Sequence, residues 1–132
     1  MERIIGMEST LAVGTQAEPV LKLVDNPSSP DTVEISHLTV TPTNATPAAD
    51  NASAGRTLVI LYCKGFGGNH TGTGDIFYDD AGTGVNKPLK FLGGKSQHAW
   101  IRQLSNEPRD NVTHLENEGA DVWMLGHKTE QP

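Results

Sequence analysis

A single cysteine, Cys63, rules out an intramolecular disulfide, so burial alone must hold the chain together. Disulfide-stapled secreted scaffolds are thereby excluded, and folding in a reducing compartment is expected. Cys63 stands in the most apolar segment of the chain, where an inert buried thiol is the natural reading. Long hydrophobic runs are also missing: no stretch approaches about 18 apolar residues, and Met1 to Gly6 has no extended export-signal core. The expectation is a chain with no membrane partner. Basic clusters are absent as well. Ten Lys and Arg stand against sixteen Asp and Glu, a formal charge of −6, with acids spread from Glu2 to Glu130. Nucleic acid is excluded as a partner on this ground, because its binding draws mainly on Lys and Arg neutralising phosphates. Aromatic residues make up only 5%, too few for an extended base-stacking surface.

What the chain does have is glycine, 14 residues of it, and short apolar segments. With 132 residues it is read as a single β domain spanning 1–132. Arg56 to Cys63 holds the longest apolar run, closed by Gly55 before and Gly65 after, and is read as a fully buried central strand with Leu61 in the core. Around it lie shorter strands. Leu21 and Leu23 alternate with Lys22; Asp75 to Asp79 and Lys87 to Leu92 are short segments between glycines; Gln97 to Leu104 and Ala120 to Leu125 carry Trp100 and Trp123. From Thr32 to Thr41 the apolar parity changes, Val33 and Ile35 being odd and Leu38 and Val40 even. A bulge or bend at Ser36-His37 is therefore predicted. Ser105 to Gly119 is read as a short helix or an irregular loop. About eight short strands with at most one short helix give an all-β fold, expected to be a β-sandwich or a jelly-roll-like barrel.

Two segments stand apart. Pro42 to Gly55 is small and polar, unsuited to a core, and reads as a loop or extended arm. Pro42, Thr43, Asn44, Thr46 and Pro47 are its candidate interface residues. Residues 65–94 form a Gly-rich loop region.

Motifs are weak throughout. Gly93-Gly94-Lys95-Ser96 ends like a phosphate loop but lacks the earlier glycine and the following helix, so a turn explains it. Asp75, Asp79 and Asp80 offer oxygen ligands for a hard cation such as Ca²⁺, although their spacing is not that of an EF-hand. The five histidines show no zinc spacing, and no nucleophile elbow occurs. Four Asn-x-Ser/Thr sequons, at Asn44, Asn51, Asn69 and Asn111, are read as chance in an Asn- and Thr-rich chain. No cofactor and no catalytic residue is assigned.

The expected function is structural: a homo-oligomeric assembly protein, such as a bacteriophage capsid decoration or tail protein, located in the virion or otherwise in the cytoplasm. Its partners would be copies of itself or a capsid or tail protein. The alternative is a carbohydrate- or ligand-binding module with Tyr62, Phe77, Tyr78, Trp100 and Trp123 as candidate platforms, although a core role is expected for both tryptophans. A small enzyme with its site in the Gly/Asp-rich loops is the third reading.

Overall fold

The computed structural model describes residues 1–13, 18–42, 47–84, 88–106 and 113–129. Eleven strands appear among them: β1 (Glu2–Val13), β2 (Leu21–Leu23), β3 (Thr32–Pro42), β4 (Ala49–Asn51), β5 (Thr57–Leu61), β6 (Asn69–His70), β7 (Ile76–Gly82), β8 (Leu89–Phe91), β9 (His98–Asn106), β10 (Leu115–Asn117) and β11 (Asp121–Thr129). The odd strands pair in the order β1-β3-β5-β7-β9-β11, and the even ones as β2-β4 and β10-β8-β6. A parallel bridge between Ala49 and Gly68 joins these two smaller sheets. Every described pairing is parallel.

This arrangement is a solenoid. Parallel strands need a crossover, commonly a helix, but here each crossover carries a short strand that lies on a second face of the same coil. The all-β expectation holds, whereas the antiparallel sandwich or jelly roll does not describe these strands. Strand count and turn spacing do not distinguish hairpins from successive coils, and the count led to the wrong one. Among the described residues no helix is long and apolar enough to cross a membrane, and the only helical element is one 3-10 turn at Gly94–Ser96.

Register explains the core. Val33, Leu58, Ile76 and Ala99 stack in one inward column, and Ile35, Ile60, Tyr78 and Ile101 in the next, all buried. Then the chain turns. His37, Tyr62, Asp80 and Gln103 all adopt positive φ, between 47° and 57°, and Gly126 sits at 88°. The turned residue reverses side-chain parity, so Leu38, Ala81 and Leu104 also point inward. The predicted kink at Ser36-His37 is therefore the corner of one coil, and the same corner recurs in the others. In β1 three residues, Gly6 to Glu8, fill the gap in register opposite His37.

The parity rule corrects two sequence expectations. β5 is buried on one side only: Leu58 and Ile60 are inside, while Thr57, Val59 and Leu61 face outward and are half-buried. In β9, Ala99, Ile101 and Leu104 are inside, leaving Trp100 on the outer face.

The supposed arm is also coil wall from residue 47 onward. Ala48, Ala49, Asn51 and Ser53 are buried, and the Asn51 side chain donates to the Arg56 carbonyl at 3.0 Å and accepts from the Ser53 N–H at 3.2 Å. Small polar residues fit here because the coil is tight and its turns are tied by internal amides. Gln97 does the same two turns further along the coil, donating to the Gly72 carbonyl at 2.7 Å and accepting from the Gly93 N–H at 3.2 Å. Pro42 ends β3, and the Pro47 carbonyl accepts from Val20 N–H at 3.2 Å. Thr43, Asn44 and Thr46 lie outside the described residues. So does the middle of the Ser105–Gly119 segment, which begins in the end of β9 and includes β10.

The glycines serve stacking of turn upon turn. A Cβ on Gly72 would stand 2.2 Å from the Ser53 carbonyl oxygen, and one on Gly93 would stand 2.1 Å from that of Gly72. Backbone rather than a flexible side chain is in the way. Gly72→Ala and Gly93→Ala are each expected to destabilise the chain by at least the upper range of the ~1–3 kcal/mol usual for overpacking. Chemical denaturation checks this against Gly55→Ala, where the added Cβ meets nothing within 4 Å.

Candidate functional site

The outer face of the large sheet carries three side-chain columns running along the coil axis. Its middle column contains Val59, Phe77, Trp100 and Trp123, brought together by the β5-β7-β9-β11 register. Phe77 and Trp100 have ring centroids 4.6 Å apart with planes 10° from parallel; Trp100 and Trp123 are 5.2 Å apart at 8°. Parallel rings touch at about 3.5 Å, so these centroid distances mean that successive rings are slipped sideways like shingles. Each ring then leaves an edge and a strip of face open. Trp123, at the end of the ladder, is 51% exposed.

Polar rows flank the aromatics. On one side stand Thr57, Asp75, His98 and Asp121, with His98 Nδ1 3.1 Å from Asp75 Oδ1 and its ring 5.8 Å from Trp100 and 6.2 Å from Trp123. On the other side stand Leu61, Asp79, Arg102 and Leu125. Arg102 Nε donates to Asp79 Oδ1 at 2.7 Å, and a second contact, from Nη2 to Oδ2, makes the pair bidentate. Hydrogen bonding to Asp79 raises the Arg102 pKa further, so its charge is fixed. The aromatic column and the Leu61–Leu125 row, with Thr57 and Asp75, line an open groove of about 1070 Å³.

Around the corner lies a second concavity of about 530 Å³, lined by Glu8, His37, Tyr62, Lys64 and Asp80 among others. His37 stacks on Tyr62 at 5.1 Å and its Nδ1 stands 3.2 Å from Glu8 Oε1. Glu8, His37 and Tyr62 are exposed, and the first and last of them hold the His37 ring between them.

The predicted platform residues are thus divided among three places. Phe77, Trp100 and Trp123 share the outer strip, Tyr62 lies at the corner, and Tyr78 is buried. Neither tryptophan belongs to the core. The acids are divided too: Asp75 and Asp79 face outward, each held by a cationic or ionisable partner, and Asp80 is turned around the corner at φ 47°. Among the described residues no three His, Cys, Asp or Glu side chains are grouped to hold a metal ion. Cys63 is buried, and burial pushes its thiol pKa up. Asn51, one of the sequon asparagines, is wholly inside.

His98 and Arg102 were not singled out by sequence. Their signal is a regularity: Phe77, Trp100 and Trp123 are equally spaced in the chain, and so are Asp75, His98 and Asp121. Equal spacing across parallel strands places each set in one column.

Taken together, these features define a parallel β-solenoid bearing an axial aromatic strip. No protein-family model, no curated protein and no solved structure matches the chain.

Proposed function

We propose that the chain is a carbohydrate-binding module that takes an elongated, uncharged glycan along the outer strip. The shingled ladder of Phe77, Trp100 and Trp123 carries this reading. A polymer laid along the axis crosses one coil every ~4.8 Å, close to the length of one sugar unit. Aromatic surface suits the C–H faces of sugars, and the flanking rows supply hydroxyl partners: Thr57, Asp75 and His98 on one side, Asp79 and Arg102 on the other. Asp79 is neutralised by Arg102, while Asp75 and Asp121 place carboxylates on the other side of the rings, an arrangement that disfavours an acidic ligand and suits an uncharged one.

Titration with a panel of neutral and acidic polysaccharides, read by intrinsic tryptophan fluorescence and calorimetry, tests it. A neutral glycan is expected to bind, and Trp123→Ala to weaken that binding at least tenfold while leaving the melting temperature nearly unchanged. Absence of any glycan-dependent signal, or a Trp123→Ala variant that binds as the parent does, removes the proposal.

A structural role in an assembly, such as a bacteriophage capsid decoration or tail protein in the virion, is the second reading. The observation in its favour is the apolar surface left at both ends of the coil, where Ile4, Ile5, Met124 and Leu125 are exposed.

A further inference from the structure

The inward column that is buried in every middle coil is open at both ends. Ile35, Ile60 and Ile101 are at most 3% exposed, but their first-coil counterpart Ile4 is 43% exposed and their last-coil counterpart Met124 is 37% exposed. In the neighbouring outer column Ile5 is 55% and Leu125 73% exposed. β1 and β11 are edge strands with one side unpaired in the sheet order, and β2 and β10 occupy the same two ends of the second face. Exposed parallel edges with apolar side chains are templates for adding a strand.

The two ends match each other column by column. Continuing the register by one coil past β11 places Arg3 on the open face of Trp123, a cation over an indole ring. The same step sets Ile4 on Met124 and Ile5 on Leu125. On the second face it sets Leu21 on Leu115. Charges agree as well. The outer column there runs Lys22, Asp50, Asn69, Lys90, Glu116, with Lys22 3.9 Å from Asp50 and Lys90 2.8 Å from Glu116. A further coil beginning with Lys22 continues the alternation of sign beyond Glu116. The αL corner also continues, since Gly126 at one end meets the Met7-Glu8 corner, itself at positive φ, at the other.

We infer that a second copy of this chain docks head to tail, β10 and β11 of one copy against β2 and β1 of the next. The inference names the partner in the assembly reading and rests on that reading; it does not require glycan binding, although both use Trp123. The contact is heterologous, so nothing in it limits growth to two copies.

Analytical ultracentrifugation of the chain over two decades of concentration is expected to show a ladder of oligomers growing with concentration. Leu125→Glu damages one end and Ile5→Glu the other. Each variant alone is expected to sediment as a monomer with the melting temperature of the monomeric parent. Mixed in equal amounts, they retain one intact pair of ends and are expected to form a one-to-one dimer that grows no further. The milder pair Leu125→Ser and Ile5→Ser gives the same pattern should glutamate disturb an end strand. A parent that stays monomeric throughout, or a mixture that does not dimerise, overturns the inference. If that parent still sediments with phage particles, the broader assembly reading survives; if it does neither, both fall.

Discussion

Acidification from pH 6.5 to pH 3 is expected to remove about 4 kcal/mol of stability through one side chain, His70. His70 is wholly buried. Asn51 N–H donates to its Nδ1 at 3.0 Å, so that nitrogen carries no proton and the neutral ring holds its hydrogen on Nε2. Nε2–H then donates to the Tyr78 hydroxyl at 3.0 Å, and that hydroxyl donates to the Phe66 carbonyl at 3.2 Å. The ring stacks on Phe91 at 5.9 Å. Every polar atom is used by the neutral form, and none is left to receive a second proton. Burial lowers the His70 pKa from 6.5 to about 3 and raises that of Tyr78.

The direction follows from linkage. Well above pH 6.5 both the folded and the unfolded His70 are neutral, and its contribution is fully present. Below that pH the unfolded chain takes up a proton that the folded chain refuses, so stability falls as the pH drops and the loss ends near pH 3. About 2 kcal/mol should be gone by pH 5, before most carboxylates titrate. Urea unfolding at pH 7 and pH 5 measures this, with His70→Gln as control. The variant is expected to be less stable at pH 7 but to lose most of the parent's dependence on pH in that window. An unchanged dependence would show that His70 is not its source.

Ile60→Ala is expected to cost about 2–5 kcal/mol, because Ile60 is fully buried between Ile35 and Tyr78 in the inward column and neighbouring coils cannot collapse into the gap. Leu61→Ala should cost about 1 kcal/mol or less, since Leu61 faces outward and is only half-buried. Adjacent residues thus differ severalfold. Denaturant midpoints of the two variants measure the contrast, and equal losses would overturn the inward and outward assignment of β5.

That contrast marks what was legible in the sequence. Strand-forming segments were legible because β-branched and apolar residues between glycines declare themselves locally. The turn at His37 was legible too, since the apolar parity on either side of it disagrees. What those turns amount to was not. Leu61 looks buried within an unbroken apolar run, and only the register of β3, β5 and β7 reveals which side of the strand is closed. Coil length hid the repeat: the aligned residues Glu2, Val33, Leu58, Ile76, Ala99 and Val122 recur at unequal intervals. Pro47 to Gly55 looks like solvent-exposed loop because Ala, Asn and Ser bury little apolar area. Their role is to tie turns through internal amides, which composition does not record. The aromatic strip was half visible. Its residues are recognisable as platforms, but Phe77, Trp100 and Trp123 separate from Tyr62 and Tyr78 only once the register is known.

The consecutive order of the odd strands has one more consequence. Each coil rests on the coil before it and carries the coil after it, so molecular length is a quantity that gene duplication can change one unit at a time. Repeating residues 76–98 would insert a complete turn with its own Phe77, Gly93 and Phe91 and leave every other turn seated on a neighbour of the same kind. The strip would lengthen by ~4.8 Å, one rung on a ruler whose spacing is set by the backbone. Selection for a longer ligand would then act on copy number of a turn, without having to invent a new surface.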